Sequence, residues 1–264
     1  MEHYFDYKIT HGGITVRFCN SLTIEEGEMH SYHELLYTEG ERLRLQTENQ
    51  RRDFSGEQLF IIPKGKYHRF DLTEATRFTR LKISIADEVL RENAVGLLAS
   101  GLRVASPISQ LCRLLINGLC NYARDGGEGG EFYLRSSVMM LLAELNRLIA
   151  AESFADILDT NGNPTVQQII GQISQNLSGD LSVEALAKIA NTSPSCLTHN
   201  FKSEMGISLH RYIVQKRMMY ARERIKSGEM PSEIAVDCGY NDYSSFYKAY
   251  IKYFGEAPTR EKNK

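Results

Sequence analysis

Two short stretches of the chain carry side chains that can exchange hydrogen bonds with a partner. In each stretch an apolar pair spaced four residues apart marks the buried side of a helix. The polar residues left on the other faces are Ser195, Thr198, His199 and Lys202 in the first stretch, and Tyr243, Ser244, Tyr247 and Lys248 in the second. Hydroxyl, imidazole and ammonium groups donate or accept hydrogen bonds, so we expect both helices to present a recognition surface.

These two stretches belong to a repeated unit. The first copy reads Leu186-Ala187, Ser193, Leu197, Phe201 and Gly206, and the second reads Ile234-Ala235, Asp242, Phe246, Tyr250 and Gly255. The copies lie 49 residues apart from Ser193 onward, whereas the apolar-Ala pairs lie 48 residues apart. The one-residue difference falls in the turn between the two helices of each copy, so the turn of the second copy is one residue longer. The sequence therefore predicts two copies of one small fold.

Each copy has the start and stop signals of two short helices joined by a turn. Ser193 and Asp242 can accept a hydrogen bond from first-turn amides, and Gly206 and Gly255 suit the left-handed residue that ends a helix. A longer helix is predicted between the copies, from about 208 to 227, because apolar residues recur there near the helical period. The sequence therefore predicts two helix-turn-helix units on one connecting helix.

The same residues resemble a known family. The segments LSVEALAKIANTSPSCLTHNFKSEMGIS, RMMYARERI and IAVDCGYNDYSSFYKAYIKYFGEAP are similar to the DNA-binding domain of AraC/XylS-type transcription regulators, over about the last hundred residues. The resemblance implies that the two recognition helices enter successive major grooves on one face of the DNA. By position, the base-reading residues are Ser195, Thr198 and His199 in the first unit, and Tyr243, Ser244, Tyr247 and Lys248 in the second.

Phosphate contacts supply most of the affinity of such a domain. The candidates here are Lys202, Lys252 and Arg260. Where the family usually has Phe-Lys in the second unit, this chain has Tyr250-Ile251, which removes one phosphate contact. Asp242 would repel a phosphate unless it caps its helix. We expect Arg217, on the connecting helix, to form an internal ion pair that fixes the angle between the units.

Residues 1 to about 85 alternate in the manner of short strands. The predicted strands are 14–18, 34–37, 42–45, 58–63 and 78–85, and turn residues separate them. The fold class is therefore predicted as α+β, with an antiparallel jelly roll, then a helical hairpin, then the all-α double helix-turn-helix region. We place the domains at 1–158 and 165–264, with a polar linker at 159–164.

The N-terminal stretches MHSYHELLYTEG and GEQLFIIPKGKYHRF resemble the cupin-like effector domain that precedes many such DNA-binding domains. In metal-binding cupins the matching positions hold ligands, and here they are Glu28, His30, Glu34 and His68. AraC-type cupins usually look metal-free, so we predict no metal and no cofactor. The side chains assigned to an effector are His30, Glu34, Arg44, His68 and Arg80, with an aromatic face from Tyr32, Tyr37 or Tyr67 that would suit a sugar.

From Pro107 the apolar period becomes helical. Ile108, Leu111 and Leu115 begin one helix, and a Gly-rich break at 126–130 separates it from a second. Both helices are apolar on more than one face. We predict a homodimer through helices 108–123 and 132–150, with packing of the second face against the C-terminal domain as the alternative.

Composition limits the remaining classes of function. The formal net charge of −2 hides an excess of 13 Lys and Arg over 10 Asp and Glu in residues 161–264. The five scattered cysteines predict neither a disulfide framework nor structural zinc. No leader or membrane-spanning stretch is seen, so we expect a cytoplasmic regulator, not an enzyme. Its expected partners are double-stranded DNA and a small-molecule effector, and RNA polymerase is a further candidate. The alternative to a transcription regulator is a cupin metalloenzyme with an appended DNA-binding domain.

Overall fold

The computed structural model describes residues 6–19, 27–71, 78–92, 101–105, 107–125, 130–151, 155–156 and 162–261. Within these ranges, eight strands form one antiparallel sheet. The strands are β1 Asp6–His11, β2 Ile14–Cys19, β3 His33–Thr47, β4 Arg51–Ile62, β5 His68–Asp71, β6 Phe78–Ile85, β7 Arg103–Ala105 and β8 Ala155–Asp156. The antiparallel N-terminal region predicted from the sequence is confirmed.

The long strand β3 organises the sheet. It pairs with β4 along one side, while its first half pairs with β6 and its last four residues pair with β5 on the other side. The β3–β4 register shifts between Gly40 and Leu43, which is a β-bulge that bends the strand. The sheet thus curls into a half-barrel, and the two strands predicted at 34–37 and 42–45 are one strand.

Each face of the sheet has its own apolar core. The outer face, with Leu35, Ile61 and Ile83, packs on helices α2 Gln110–Asp125 and α3 Gly130–Ala150. The inner face of β3, β4, β5 and β7 is filled by a second cluster of Leu36, Leu43, Leu45, Phe60, Ile62, Phe70 and Val104. A short helix, α1 Asp87–Glu92, follows β6.

The buried stripe of α2 differs from the predicted one. Cys112, Ile116 and Leu119 are buried, whereas Leu111 is 40% exposed. Both sets of residues fit the helical period, and packing against the sheet selects between them.

The C-terminal region is helical, as predicted. Its helices are α4 Pro164–Gln175, α5 Val183–Ile189, α6 Pro194–Met205, α7 Leu209–Lys226, α8 Pro231–Asp237, α9 Tyr243–Phe254 and α10 Pro258–Glu261. Val166, Ile169 and Ile173 of α4 pack over the first helix-turn-helix unit in one core, while the second unit has a separate core around Phe246 and Tyr250. No helix of the described residues has the length and apolarity needed to cross a membrane.

Candidate functional site

Helix α6 is fixed at both ends by the residues that the sequence indicates. The Ser193 side chain accepts a hydrogen bond from the Cys196 amide at 3.2 Å, and Gly206 ends the helix at φ 72°. Leu197, Phe201 and Met205 are its buried residues. Ser195, Thr198, His199 and Lys202 are all exposed on the remaining surface of the helix.

Helix α9 repeats this construction in the second unit. Asp242 accepts hydrogen bonds from the Ser245 amide at 2.8 Å and the Ser245 hydroxyl at 2.7 Å, and these bonds lower the pKa of the Asp242 carboxyl. Asp242 is therefore an ionised cap at neutral pH. Gly255 ends the helix at φ 74°. Tyr243, Ser244 and Lys248 are exposed, and Tyr247 is half-buried.

Arg217 on α7 links the two units, but not through the predicted ion pair. Its guanidinium donates to the carbonyl of Leu177 at 3.0 Å and to that of Gly179 at 3.4 Å, both in the α4–α5 loop. It also lies over the ring of Tyr240, in the turn of the second unit, at 5.9 Å. The prediction of an ion pair was wrong because the loop before α5 turns its carbonyl groups toward α7.

The N-terminal region contains a buried polar cluster, which we define as Glu28, His30, Glu34, His68 and Lys82. Nε2 of His30 lies 3.0 Å from Glu34, and Nε2 of His68 lies 3.7 Å from Glu28. The Lys82 ammonium contacts Glu28 at 2.7 Å and Glu34 at 3.2 Å. The sequence predicted the histidines and glutamates of this cluster but missed Lys82, which alternation along β6 could have indicated.

Charge within the cluster decides its protonation. Burial disfavours the ionised form of Glu34, but Lys82 and then His30 outweigh it and lower the pKa of Glu34 to about 2. Burial also opposes ionisation of Glu28, and His68 with Lys82 hold its pKa well below the usual range. For His68, burial lowers the pKa but Glu28 and Glu34 raise it by more. Both carboxyl groups are therefore anionic at neutral pH.

The remaining residues assigned to an effector lie apart from one another. Arg80 is buried on β6 and donates to Cys19 Sγ at 3.7 Å. Arg44 is not part of the polar cluster, because the β3 bulge turns it to the other side of the strand, where it forms a two-point contact with Asp53. Of the candidate aromatic residues, Tyr32 stacks on His30 with ring centres 4.1 Å apart. Tyr37 and Tyr67 are buried.

An open basin of about 1180 Å³ adjoins the polar cluster. It lies over the polar side of β1, β2 and β6, and the C-terminal end of α7 forms another wall. Cationic side chains outnumber carboxylates in the lining of the basin. The cations are Lys8, Arg17, Lys64, Lys82, Arg135, Arg222 and Lys226, and the carboxylates are Glu28, Asp87, Glu88 and Glu223. Sequence reasoning missed this basin, since its walls come from distant segments.

Several contacts join the half-barrel to the C-terminal helices. Glu48, in the β3–β4 turn, accepts a hydrogen bond from the Tyr212 hydroxyl at 2.5 Å and pairs with Lys216 at 2.7 Å. The Tyr67 hydroxyl donates to the Met205 carbonyl at the end of α6. Because α6 and α7 are both contacted, the half-barrel directly touches the elements that position the exposed face of α6.

Comparison with known proteins identifies the C-terminal region. Residues 186–264 match the family model described as a helix-turn-helix domain. A probable transcriptional regulator, LumQ of Photobacterium leiognathi, is 37% identical over 89 residues, which cover 33% of this chain and 36% of LumQ. The transcriptional activator RhaS of Salmonella paratyphi A is 26% identical over 173 residues, covering 65% of this chain and 60% of RhaS.

Among solved structures, the C-terminal domain of AraT, a response regulator from Geobacillus stearothermophilus, is 32% identical, with a TM-score of 0.38. That match covers 39% of this chain and 88% of the AraT domain. The chain thus spans between about a third and three fifths of the curated relatives named above. Residues 186–264 therefore form a helix-turn-helix domain of the AraC/XylS type.

Proposed function

We propose that this chain is a sequence-specific, DNA-binding regulator of transcription. The observation that supports this function most strongly is the duplication of one helix geometry. Helices α6 and α9 have equivalent caps, equivalent glycine stops and equivalent exposed polar faces, and α7 connects them. A helix with a polar, uncovered face and its other face packed in a small core is the element that helix-turn-helix proteins insert into the major groove. We propose 1–158 and 165–264 as the two domains, with 159–164 as the linker.

Base reading is assigned to Ser195, Thr198 and His199 of α6, and to Tyr243, Ser244, Tyr247 and Lys248 of α9. In the first unit, Thr198 already donates its hydroxyl hydrogen to the Pro194 and Ser195 carbonyls, both at 3.0 Å. Its methyl group and an oxygen lone pair remain for a thymine methyl or a base donor. The imidazole of His199 can donate to a purine acceptor. None of these residues is an arginine, so we infer modest discrimination by the first unit alone.

Selection of bound fragments from a random DNA pool tests the proposal. We expect enrichment of a site with two half-sites about one helical turn apart, because two recognition helices would enter successive major grooves. Recovery of fragments with no shared sequence would contradict sequence-specific binding. A DNA-binding role also implies a cytoplasmic location beside the chromosome.

Phosphate contacts are assigned to Lys202, Lys252 and Arg260; the side chain of Arg260 lies outside the described residues. Lys202 and Lys252 are exposed. In the repeat, the position equivalent to Lys202 is Ile251, which is 37% exposed. The second unit therefore lacks a cation that the first unit has.

Because of this difference between the units, we expect substitutions at the two positions to change the salt dependence of DNA affinity in opposite directions. Lys202→Ala should reduce the slope of log affinity against log salt by about 0.9, and Ile251→Lys should increase it by about 0.9, since each phosphate contact releases counterions. Fluorescence anisotropy with a labelled duplex, at several salt concentrations, measures both slopes. Equal slopes in the wild type and both variants would remove these two positions from the phosphate-contacting surface.

We further infer that the basin binds the effector. Its lining comes from the half-barrel and from α7, so a ligand there would contact both parts of the chain. The cationic excess of the lining favours an acidic ligand over the neutral sugar considered from sequence. A ligand can change DNA binding only through different affinities for two arrangements of the chain.

Thermal unfolding in the presence of small carboxylic acids, sugar phosphates and neutral sugars tests this inference. We expect acidic compounds, and not neutral sugars, to raise Tm, because binding to the folded state stabilises it by mass action. Lys226→Glu should abolish the rise by reversing one charge of the α7 wall. A rise that survives in Lys226→Glu would place the ligand elsewhere.

A homodimer through the α2–α3 hairpin is also proposed. Apolar side chains on the outside of this hairpin are exposed; they are Leu111, Leu114, Phe132, Tyr133 and Met140. An exposed apolar patch on paired helices is typical of a protein interface, and RNA polymerase is a second proposed partner. The relatives named above are regulators, so we propose no catalytic activity.

A further inference from the structure

We propose that the ligand of the basin is a phosphate monoester of a small sugar or polyol. This inference rests on the proposed function of the basin as the effector site, and it names the class of compound that the basin takes. Two neighbouring rows of polar side chains on β1, β2 and β6 carry the inference.

The first row consists of cations on three adjacent strands. Lys8 of β1 lies opposite Arg17 of β2, and Arg17 lies opposite Lys82 of β6. Directly opposed residues of antiparallel strands share one face of the sheet, and all three residues line the basin. Because neighbouring strands lie about 4.8 Å apart, the backbone positions of this row span about 10 Å. We call these three residues the cation row.

The second row consists of hydroxyl groups on the same three strands. Thr10 lies opposite Thr15, and Thr15 lies opposite Ser84. These residues also line the basin, two positions along each strand from the cation row, which is a distance of about 7 Å. We call them the hydroxyl row. A hydroxyl group both donates and accepts, so the row can exchange hydrogen bonds with the hydroxyl groups of a sugar or polyol.

The members of the cation row differ in how their charges are balanced. The Lys82 ammonium contacts the Glu28 carboxylate at 2.7 Å and the Glu34 carboxylate at 3.2 Å, so most of its charge is already neutralised. Lys8 and Arg17 are exposed and face each other, and like charges directly opposite repel. The phosphate group is therefore assigned to Lys8 and Arg17, where an anion also relieves their repulsion.

The charge of the basin favours a phosphate over a carboxylate. Among the described residues of its lining, the cations exceed the carboxylates by three. A carboxylate supplies one negative charge, whereas a phosphate monoester supplies about 1.5 to 2 and has three acceptor oxygens. The fork of the Arg17 guanidinium matches two of those oxygens, and the Lys8 ammonium can donate to the third.

The size of the basin favours an ester over free phosphate. Its volume of about 1180 Å³ is that of a pocket for a drug-sized ligand, so inorganic phosphate alone would leave most of it to water. The hydroxyl row would also have no partner in a ligand that lacks an organic part. The two rows together therefore suit a phosphate joined to a body that carries hydroxyl groups.

Thermal unfolding of the full-length chain at constant ionic strength tests the ligand class. We expect glucose 6-phosphate or glycerol 3-phosphate to raise Tm, because binding to the folded state stabilises it. Inorganic phosphate and gluconate should each give a smaller rise, and glucose and glycerol should give none. Gluconate matches glucose 6-phosphate in its hydroxyl groups but replaces the phosphate with a carboxylate.

Titration calorimetry of variants with the more stabilising of the two esters locates the phosphate. Lys8→Gln and Arg17→Lys should each weaken binding on the order of tenfold, since a charge is lost in the first and the two-point contact in the second. Thr15→Val should weaken binding of the ester but leave binding of inorganic phosphate unchanged. Lys66→Gln is the matched control, because Lys66 is an exposed lysine of the half-barrel that does not line the basin.

The results separate this inference from the proposed function on which it rests. If gluconate raised Tm as much as the esters, the basin would remain a site for acids but the phosphate assignment would be overturned. The absence of a rise with both esters, or equal ester binding in Lys8→Gln, Arg17→Lys and the wild type, would also overturn it. Selection of DNA fragments tests the regulator function in the absence of any of these compounds.

Discussion

Phe246→Ala should unfold the second helix-turn-helix unit while the first unit stays folded. Phe246 is 0% exposed and lies at the centre of the core formed by α7, α8 and α9, with its ring 5.6 Å from that of Tyr240 and 5.7 Å from that of Tyr250. Removing a buried phenylalanine costs about 3–5 kcal/mol, which is a large share of the stability of a small unit. The first unit has its own core around Phe201, so it should keep its structure.

Amide hydrogen exchange measures this difference directly. Peptides from 231–254 should lose protection in Phe246→Ala, while peptides from 183–205 keep it. Ile251→Ala is the matched control on the same helix, because Ile251 is exposed and its loss should change stability by less than about 0.5 kcal/mol. Equal loss of protection in both regions would mean that the two units unfold as one body.

Lys248→Ala should weaken binding to a selected DNA site by about 1–3 kcal/mol and relax the preference at one base pair. Lys248 is exposed on α9 at the position equivalent to His199 on α6. A lysine there can donate to the O6 and N7 acceptors of guanine, whereas a lysine on a phosphate would not distinguish bases.

Affinity for the selected duplex and for single-base variants of it checks this assignment. Lys66→Ala is the matched control, because Lys66 is an exposed lysine of the N-terminal region. It should leave DNA affinity unchanged. If Lys248→Ala weakened binding to all duplexes by the same factor, Lys248 would be a phosphate contact and not a base-reading residue.

The errors in the sequence-based fold have physical causes. Strands β5, β7 and β8 are two to four residues long, too short to show a period. The β3 bulge inserts a shift of register that alternation alone does not reveal, and it carries Arg44 away from the polar cluster. In α2, the stripe with Leu111 and the stripe with Cys112 have the same period, so the surface against which the helix packs decides which stripe is buried.

The repeated unit, its helix caps, its glycine stops and its exposed polar faces were all determined by the sequence alone, because caps and helical periodicity depend on residues within a few positions of each other. Only the tertiary structure decided that the Lys82 ammonium contacts the Glu28 and Glu34 carboxylates and that a basin lies between the sheet and α7. It also decided that segment 27–30 accepts hydrogen bonds from Gln215 of α7 and Tyr253 of α9. Those features join segments up to 224 residues apart, and strand register and packing, not local pattern, bring them together.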